Sequence, residues 1–223
     1  MFMTNGKPIT NVETQESVAA LTFDDGPHPI YTPWVLRVLR EHDVKATFFM
    51  VGEAASRFPE IVHDVARDGH VIGNHSWDHP NLTKTPSRMH RLQQLRKGAK
   101  STAPYCQKLF RPPFGAQNAQ IRFDARLFGY QMILWNVSTQ DWVRQDSGDI
   151  TKKMIERVKP GCIMLLHDAI YAGNEVSEQD KDRVPMLNGL DQALSTLTRQ
   201  IRFVTVPELL RAGKPVCNWS SSD

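Results

Sequence analysis

Residues 18–25 read VAALTFDD, an almost unbroken apolar run that ends on two adjacent carboxylates, Asp24 and Asp25. A strand with one face in water alternates apolar and polar side chains. An unbroken run is the pattern of a strand buried on both faces, as in a parallel sheet. The same pattern recurs at 46–52 (ATFFMVG), 70–76 (HVIGNHS), 109–115 (LFRPPFG), 131–138 (QMILWNVS), 162–168 (CIMLLHD) and 201–206 (IRFVTV). Between these runs lie segments of helical period. In 31–44, Trp34, Val35, Leu36, Val38 and Leu39 form an apolar face and Pro33 suits a first turn. In 58–69, Ile61, Val62 and Val65 share a face and Gly69 follows as a terminator. Segments 87–100, 149–158 and 187–200 complete the alternation. Strands alternating with helices predict βαβ units and an α/β fold, either closed as a barrel or open as a doubly wound sheet. Both architectures place ligands at the carboxyl ends of strands.

Composition sets the bounds. A chain of 223 residues, 40% hydrophobic and 23% charged, reads as one α/β domain with a sizeable core. Its formal charge of +3, with basic residues dispersed, excludes the footprint of a nucleic-acid binder. Residues 1–17 contain no signal-peptide core and no membrane-spanning run, so the chain as given reads as soluble, which leaves its compartment open. Of three cysteines, Cys162 lies in an apolar run and reads as a core thiol, while a Cys106–Cys217 disulfide is a conjecture.

Burial explains the body of each strand but not a charged tip, so the tips are the informative residues. They are Asp24 and Asp25, His75 and His79, Arg111, Ser138 and Asp141, and His167 and Asp168. On an extended strand Asp24 and Asp25 would point to opposite sides and take different partners, one a cation and the other a basic side chain. DDGP is also ordinary turn sequence. His75 and His79 are four apart, so one helical turn would present both imidazoles to a metal. They lack the glutamate of an HExxH helix. Arg111, stiffened by two prolines, could orient Asp24, or be a surface arginine. His167 could be a satisfied core histidine, and Asp168 a turn cap.

Five stretches, TFDDGP (22–27), HSWDHPNLT (75–83), RPPFG (111–115), WNVSTQDW (135–142) and LLHD (165–168), occur in this order. Together they resemble the five signature motifs of the polysaccharide deacetylases, carbohydrate esterase family 4, with a NodB-like domain. The resemblance implies a distorted (β/α)7 barrel over residues 18–213, between an extension at 1–17 and a tail at 214–223. It implies a divalent metal, Zn2+ foremost with Co2+, Ni2+ or Fe2+ as alternatives, on Asp25, His75 and His79. It makes Asp24 the general base, oriented by Arg111, and His167 the general acid. A backbone N–H near Phe114 would bind the oxyanion, and Leu165 or Leu166 would wall the acetyl pocket. Where members commonly carry an aspartate, this chain has Ser138, so Asp141 is the candidate to support His167.

The implied substrate is an acetylated glycan, N-acetylglucosamine in chitin, chitooligosaccharides or peptidoglycan, with acetylxylan as the alternative. Trp77, Trp135 and Trp142 could stack on sugars or be core residues. The segment NEVSEQDKDR (174–183) reads as a loop beside the site. The family resemblance implies a secreted or cell-envelope protein, with a cytoplasmic location as the alternative, and the expected state is a monomer. Two other classes stay open: a non-haem iron oxygenase, which also uses two histidines and a carboxylate, and a carbohydrate-binding member without turnover. Asp24 and His167 separate these from a hydrolase.

Overall fold

All seven residues of β2 (Val18–Asp24) are buried, as are all four of β3 (Thr47–Met50) and of β4 (Val71–Asn74), so the continuous apolar runs are strands covered on both faces. The computed structural model describes residues 6–171 and 181–218. It adds β5 (Cys106–Phe110), β6 (Gln131–Met132), β7 (Val137–Ser138), β8 (Ile163–His167) and β9 (Arg202–Phe203) to one sheet. Its hydrogen-bonded order is β6-β5-β4-β3-β2-β8-β7, all parallel, with β9 paired to the start of β2. The sheet curls into a half-barrel of seven strands, a distorted (β/α)7 fold.

The source of the distortion is local. The stretch 131–138, expected as one strand, is two, and its halves lie at opposite edges of the sheet. Residues 133–136 cross the opening between them. They are held there by Ile133 N–H to Phe110 O (2.9 Å), Leu134 N–H to Ile9 O (2.7 Å) and Asn136 N–H to Ile163 O (3.2 Å). The parts expected as an N-terminal extension and a C-terminal tail take part in the fold. Ile9 is fully buried, and β1 (Asn11–Glu13) pairs antiparallel with β10 (Lys214–Val216).

Strand alternation divides the core. Leu21, Phe23, Met164 and Leu166 face outward onto helices α1 (Tyr31–Glu41), α3 (Pro59–Arg67), α6 (Ser147–Arg157) and α7 (Val184–Leu197). Val18, Ala20, Ile163 and Leu165 face inward with Phe49, Leu134 and Trp135. Each fully buried side chain of this kind contributes roughly 1.5–3 kcal/mol. A third cluster packs α4 (Arg88–Ser101) and α5 (Ala119–Leu127) beside β5.

Gly69 takes the left-handed conformation expected of it, φ 81°. The helical-period reading does not reveal α5, because Phe123 and Leu127 on it are exposed and blur its apolar face. Two short helices, α2 (Gly52–Arg57) and α8 (Val206–Arg211), likewise occupy stretches not read as helical. The conjectured disulfide is absent: Cys106, Cys162 and Cys217 are free thiols, with Cys162 in the core. Most of the 174–183 loop lies outside the described residues. Among the described residues no helix is long and apolar enough to cross a membrane.

Candidate active site

The strand tips converge. In the register of β2 against β8, Asp24 is the partner of His167. Two strands along from β2, His75 follows β4, and its backbone N–H bonds Met50 O of β3 (3.0 Å). Arg111 follows β5, and its N–H bonds Asn74 O (3.0 Å).

Two local geometries differ from expectation. Asp25 is not extended but left-handed, φ 77°, so the two carboxylates do not diverge. Both reach His75: its Nε2 is 3.7 Å from Asp24 Oδ2 and 3.4 Å from Asp25 Oδ1. Left-handed backbone at a non-glycine residue is costly and persists where surrounding contacts enforce it. Here the Tyr171 N–H donates to Asp25 Oδ2 (2.9 Å). Nor do His75 and His79 lie on a helical turn. They sit in a loop with Ser76 at φ 70° and His79 at φ 57°, and His79 Nε2 comes 3.2 Å from Asp25 Oδ1.

One ligand atom from each of Asp25, His75 and His79 lies within 4.8 Å of the others. Does this set fit a cation? Nδ1 of His75 meets the Arg111 carbonyl oxygen at 2.7 Å. A carbonyl only accepts, so Nδ1 carries the proton and Nε2 presents a lone pair. Burial, with some opposition from Asp25, pushes the His79 pKa down to about 4, which keeps that ring neutral. Burial alone would raise the Asp25 pKa, but His79, His75 and His167 outweigh it and bring it to about 2. Asp25 Oδ1 is buried and accepts no hydrogen bond among the described residues. The Nε2 lone pair of His75 and the open oxygen of Asp25 thus face one another beside a neutral His79 ring, an arrangement that a divalent cation completes. The chain can hold a divalent metal here.

Asp24 is served differently. Its Oδ1 accepts from Arg111 Nη1 at 2.7 Å, and both side chains are almost fully buried. The guanidinium also donates to Thr22 Oγ1 (2.8 Å), Ile133 O (3.2 Å) and Leu134 O (3.0 Å). It packs 4.2 Å from the Phe49 ring centroid and 5.5 Å from that of Trp135. Trp135 therefore lies under the site as Arg111's platform and is not open to a sugar. Thr22, Phe49 and Tyr171 escaped the sequence reading. Thr22 and Phe49 look like ordinary strand residues, and the Tyr171 contribution is a backbone N–H, which has no sequence signature.

His167 is gripped twice by Asp141: its N–H donates to Oδ2 (2.8 Å) and its Nδ1 faces Oδ1 (3.1 Å). Burial disfavours the charged ring, but Asp141, helped by Asp25 and Asp24, prevails and raises the pKa to about 9. Ser138 takes no part in this pair. Its Oγ accepts from the Gln140 N–H (2.9 Å) and shapes the turn toward Asp141. Asp168 lies beneath the turn, its Oδ2 accepting from Thr32 Oγ1 (2.5 Å), and burial raises its pKa to about 7. A Cβ on Gly26 would come within 2.2 Å of that carboxyl, so any larger residue there would force the buried Asp168 side chain to move.

Around the rim, Phe114 is exposed at φ 60° with its ring edge-on to His79 at 4.6 Å. Trp142 is partly exposed and meets His167 at 5.4 Å. Leu165 shares the inward face of His167, whereas Leu166 points into the helix-facing core and cannot wall the same pocket. Trp77 is half-buried, with Lys97 over its ring.

Comparison with known proteins agrees with this geometry. The family model for polysaccharide deacetylases matches residues 11–133. A peptidoglycan-N-acetylglucosamine deacetylase of Bacillus cereus is 38% identical over 206 residues, covering 90% of this chain and 91% of its own. The peptidoglycan-N-acetylglucosamine deacetylase PgdA of Listeria monocytogenes is 38% identical over 193 residues, 85% of this chain but only 38% of its own length. A crystal structure of a peptidoglycan N-acetylglucosamine deacetylase, in complex with a naphthalenyl N-oxidanyl-benzamide, superposes with a TM-score of 0.80 at 33% identity, covering 92% of this chain and 93% of that one. With this family match and these relatives, and with three candidate metal ligands, a paired aspartate and a strand-end histidine at the motif positions of a curled parallel sheet, the chain belongs to the polysaccharide deacetylase family.

Proposed function

We propose that the protein is a metal-dependent hydrolase that removes N-acetyl groups from an N-acetylglucosamine-containing glycan, giving acetate and a free amine. Peptidoglycan is the favoured polymer, after the names of the relatives. The observation that carries the reading is the convergence of Asp25, His75 and His79 on one buried, unbonded carboxylate oxygen, beside Asp24 and His167 as strand neighbours.

Asp25, His75 and His79 would hold the cation, Zn2+ foremost, with Co2+, Ni2+ or Fe2+ suited to the same donors. Such an ion supplies Lewis-acid chemistry, acidifying a water and polarising an acyl oxygen. Asp24, off the metal and oriented by Arg111, takes the proton from the water whose oxygen bonds to the acetyl carbon. The Phe114 N–H donates to the tetrahedral oxyanion. His167, charged and held by Asp141, gives its proton to the nitrogen as the C–N bond breaks. Leu165 borders the acetyl methyl, and Trp142 offers an apolar face to the sugar. A polymer of this kind implies work outside the cytoplasm or at the cell envelope.

Metal-loaded and chelated protein, incubated anaerobically with peptidoglycan, chitooligosaccharides and acetylxylan, tests the reading. Acetate released in equal amount with new amines, only with metal, is the expected result. Acetate from acetylxylan alone would make the enzyme an esterase, and sugar binding without acetate would make it a non-catalytic member. Oxygen chemistry would leave Asp24 and the His167–Asp141 pair without a task.

Two variants follow from the acid. His167→Ala should lose far more activity on the amide than on 4-nitrophenyl acetate, whose leaving group needs no proton; equal losses would remove the acid role. Because His167 must be protonated, activity persists below its raised pKa and declines above it. Asp141→Asn removes the largest raising partner, so the alkaline limb should move to lower pH by about one unit or more. An unmoved limb in a pH–rate profile would count against the pairing.

A further inference from the structure

Beside the His167–Asp141 pair stands a residue that none of the signature motifs contains. Arg183 precedes α7 and is 3% exposed. Its Nη1 donates to the Asp141 backbone carbonyl at 2.7 Å and lies 3.7 Å from Asp141 Oδ2. We propose that Arg183 is a positioning residue for the acid step: it fixes the Asp141 loop to the start of α7 and offsets the carboxylate's charge, so that Asp141 holds the His167 ring in place for proton delivery.

The Asp141 side chain has no exposed surface, and a buried carboxylate is costly unless charged or polar donors surround it. Its two oxygens meet His167 Nδ1 and N–H. When His167 surrenders its proton, the nearest positive charge is gone and two neutral donors remain. Arg183 is then the cation in contact with Asp141, and arginine keeps its proton throughout. The carboxylate thus faces a positive charge in both states of the acid.

The backbone bond adds a geometric effect. Asp141 follows Gln140, which is left-handed at φ 58°, and a loop of that conformation needs an external anchor to present a side chain in one direction. Gln145 Nε2 grips the same loop at Thr139 O (3.1 Å) and Gln140 O (2.7 Å). Arg183 grips it at Asp141 itself, next to Trp142, whose ring meets His167. A displacement of about 1 Å in a group that positions a catalytic side chain costs up to about 10²-fold.

This inference rests on the deacetylase reading, and its test keeps the two separable. Kinetics of Arg183→Met are measured with an N-acetylglucosamine pentamer and with 4-nitrophenyl acetate, in wild-type and Asp141→Asn backgrounds. The expected result is a fall in kcat of about 10- to 10²-fold on the pentamer with KM little changed, a much smaller fall on the ester, and no further fall once Asp141 is Asn. Arg183→Lys, which keeps the charge, should recover part of the loss, and it carries the same pentamer-to-ester comparison if the methionine variant does not fold. Equal losses on both substrates, or the same fold-loss in the Asp141→Asn background, would overturn the proposal. A wild-type protein that releases acetate from neither of these substrates nor from peptidoglycan would instead refute the deacetylase reading.

Discussion

Asp24→Asn should retain its metal yet lose about 10²- to 10⁴-fold in turnover, the range expected for removal of a positioned general base. The substitution is close to isosteric. Arg111 Nη1 can still donate to the amide oxygen in place of Oδ1, and none of Asp25, His75 and His79 is altered. What is lost is the oxygen able to accept a proton from the attacking water. Acetate release and metal content, measured on the same sample, separate this outcome from a failure to bind metal. Full turnover in the variant would remove Asp24 from the chemistry, and loss of metal would make it a ligand.

The second large effect concerns stability. Arg111 is fully buried and satisfies a carboxylate, a hydroxyl and two carbonyls at once. Arg111→Met keeps much of the packing against Phe49 and Trp135 but leaves the Asp24 charge buried and unpaired. Breaking one side of such a pair costs about 3–5 kcal/mol, or roughly 2–4 °C of melting temperature per kcal/mol for a domain of this size. Combining it with Asp24→Asn should cost less than the sum of the two, because the uncompensated charge is then gone. Thermal or urea unfolding of the four proteins gives the coupling directly. Additive losses would mean that Arg111 contributes by packing alone.

The parts of the site written as strand tips were legible in the sequence. Asp24, Asp25, His75, His79, Arg111 and His167 stand where an apolar run stops, and the parallel sheet brings one end of every strand together. Their local geometry was not legible. Alternation predicts that Asp24 and Asp25 diverge, yet the left-handed backbone at Asp25 turns both onto His75. Four-residue spacing predicts a helical turn for His75 and His79, yet left-handed residues at 76 and 79 make a loop do the same work. Contacts made by main chain leave no trace in residue identity, which is why the Tyr171 N–H on Asp25 and the Arg111 carbonyl on His75 emerge only in three dimensions.

The fold divides in the same way. Buried strands announce themselves by composition, so β2, β3, β4 and β8 lie within the apolar runs. The middle of the stretch 131–138, Met132 to Trp135, is apolar because it is buried, not because it is one strand. Where it crosses the barrel opening its polar groups are satisfied by Ile9, Phe110 and Ile163, residues distant in sequence. Composition reports burial, while the pairing that decides whether a buried run is a strand depends on distant neighbours. Trp135 shows the same limit, since a tryptophan near a strand end can face sugar or support an arginine, and here it supports Arg111.

The central claim is a division of labour between adjacent aspartates, and anomalous diffraction from a zinc-loaded crystal at the zinc edge tests it most directly. The account predicts one strong peak at about 2.0–2.2 Å from His75 Nε2, His79 Nε2 and an oxygen of Asp25, with both oxygens of Asp24 outside bonding distance. A peak bonded to Asp24, or none among these three residues, would contradict it.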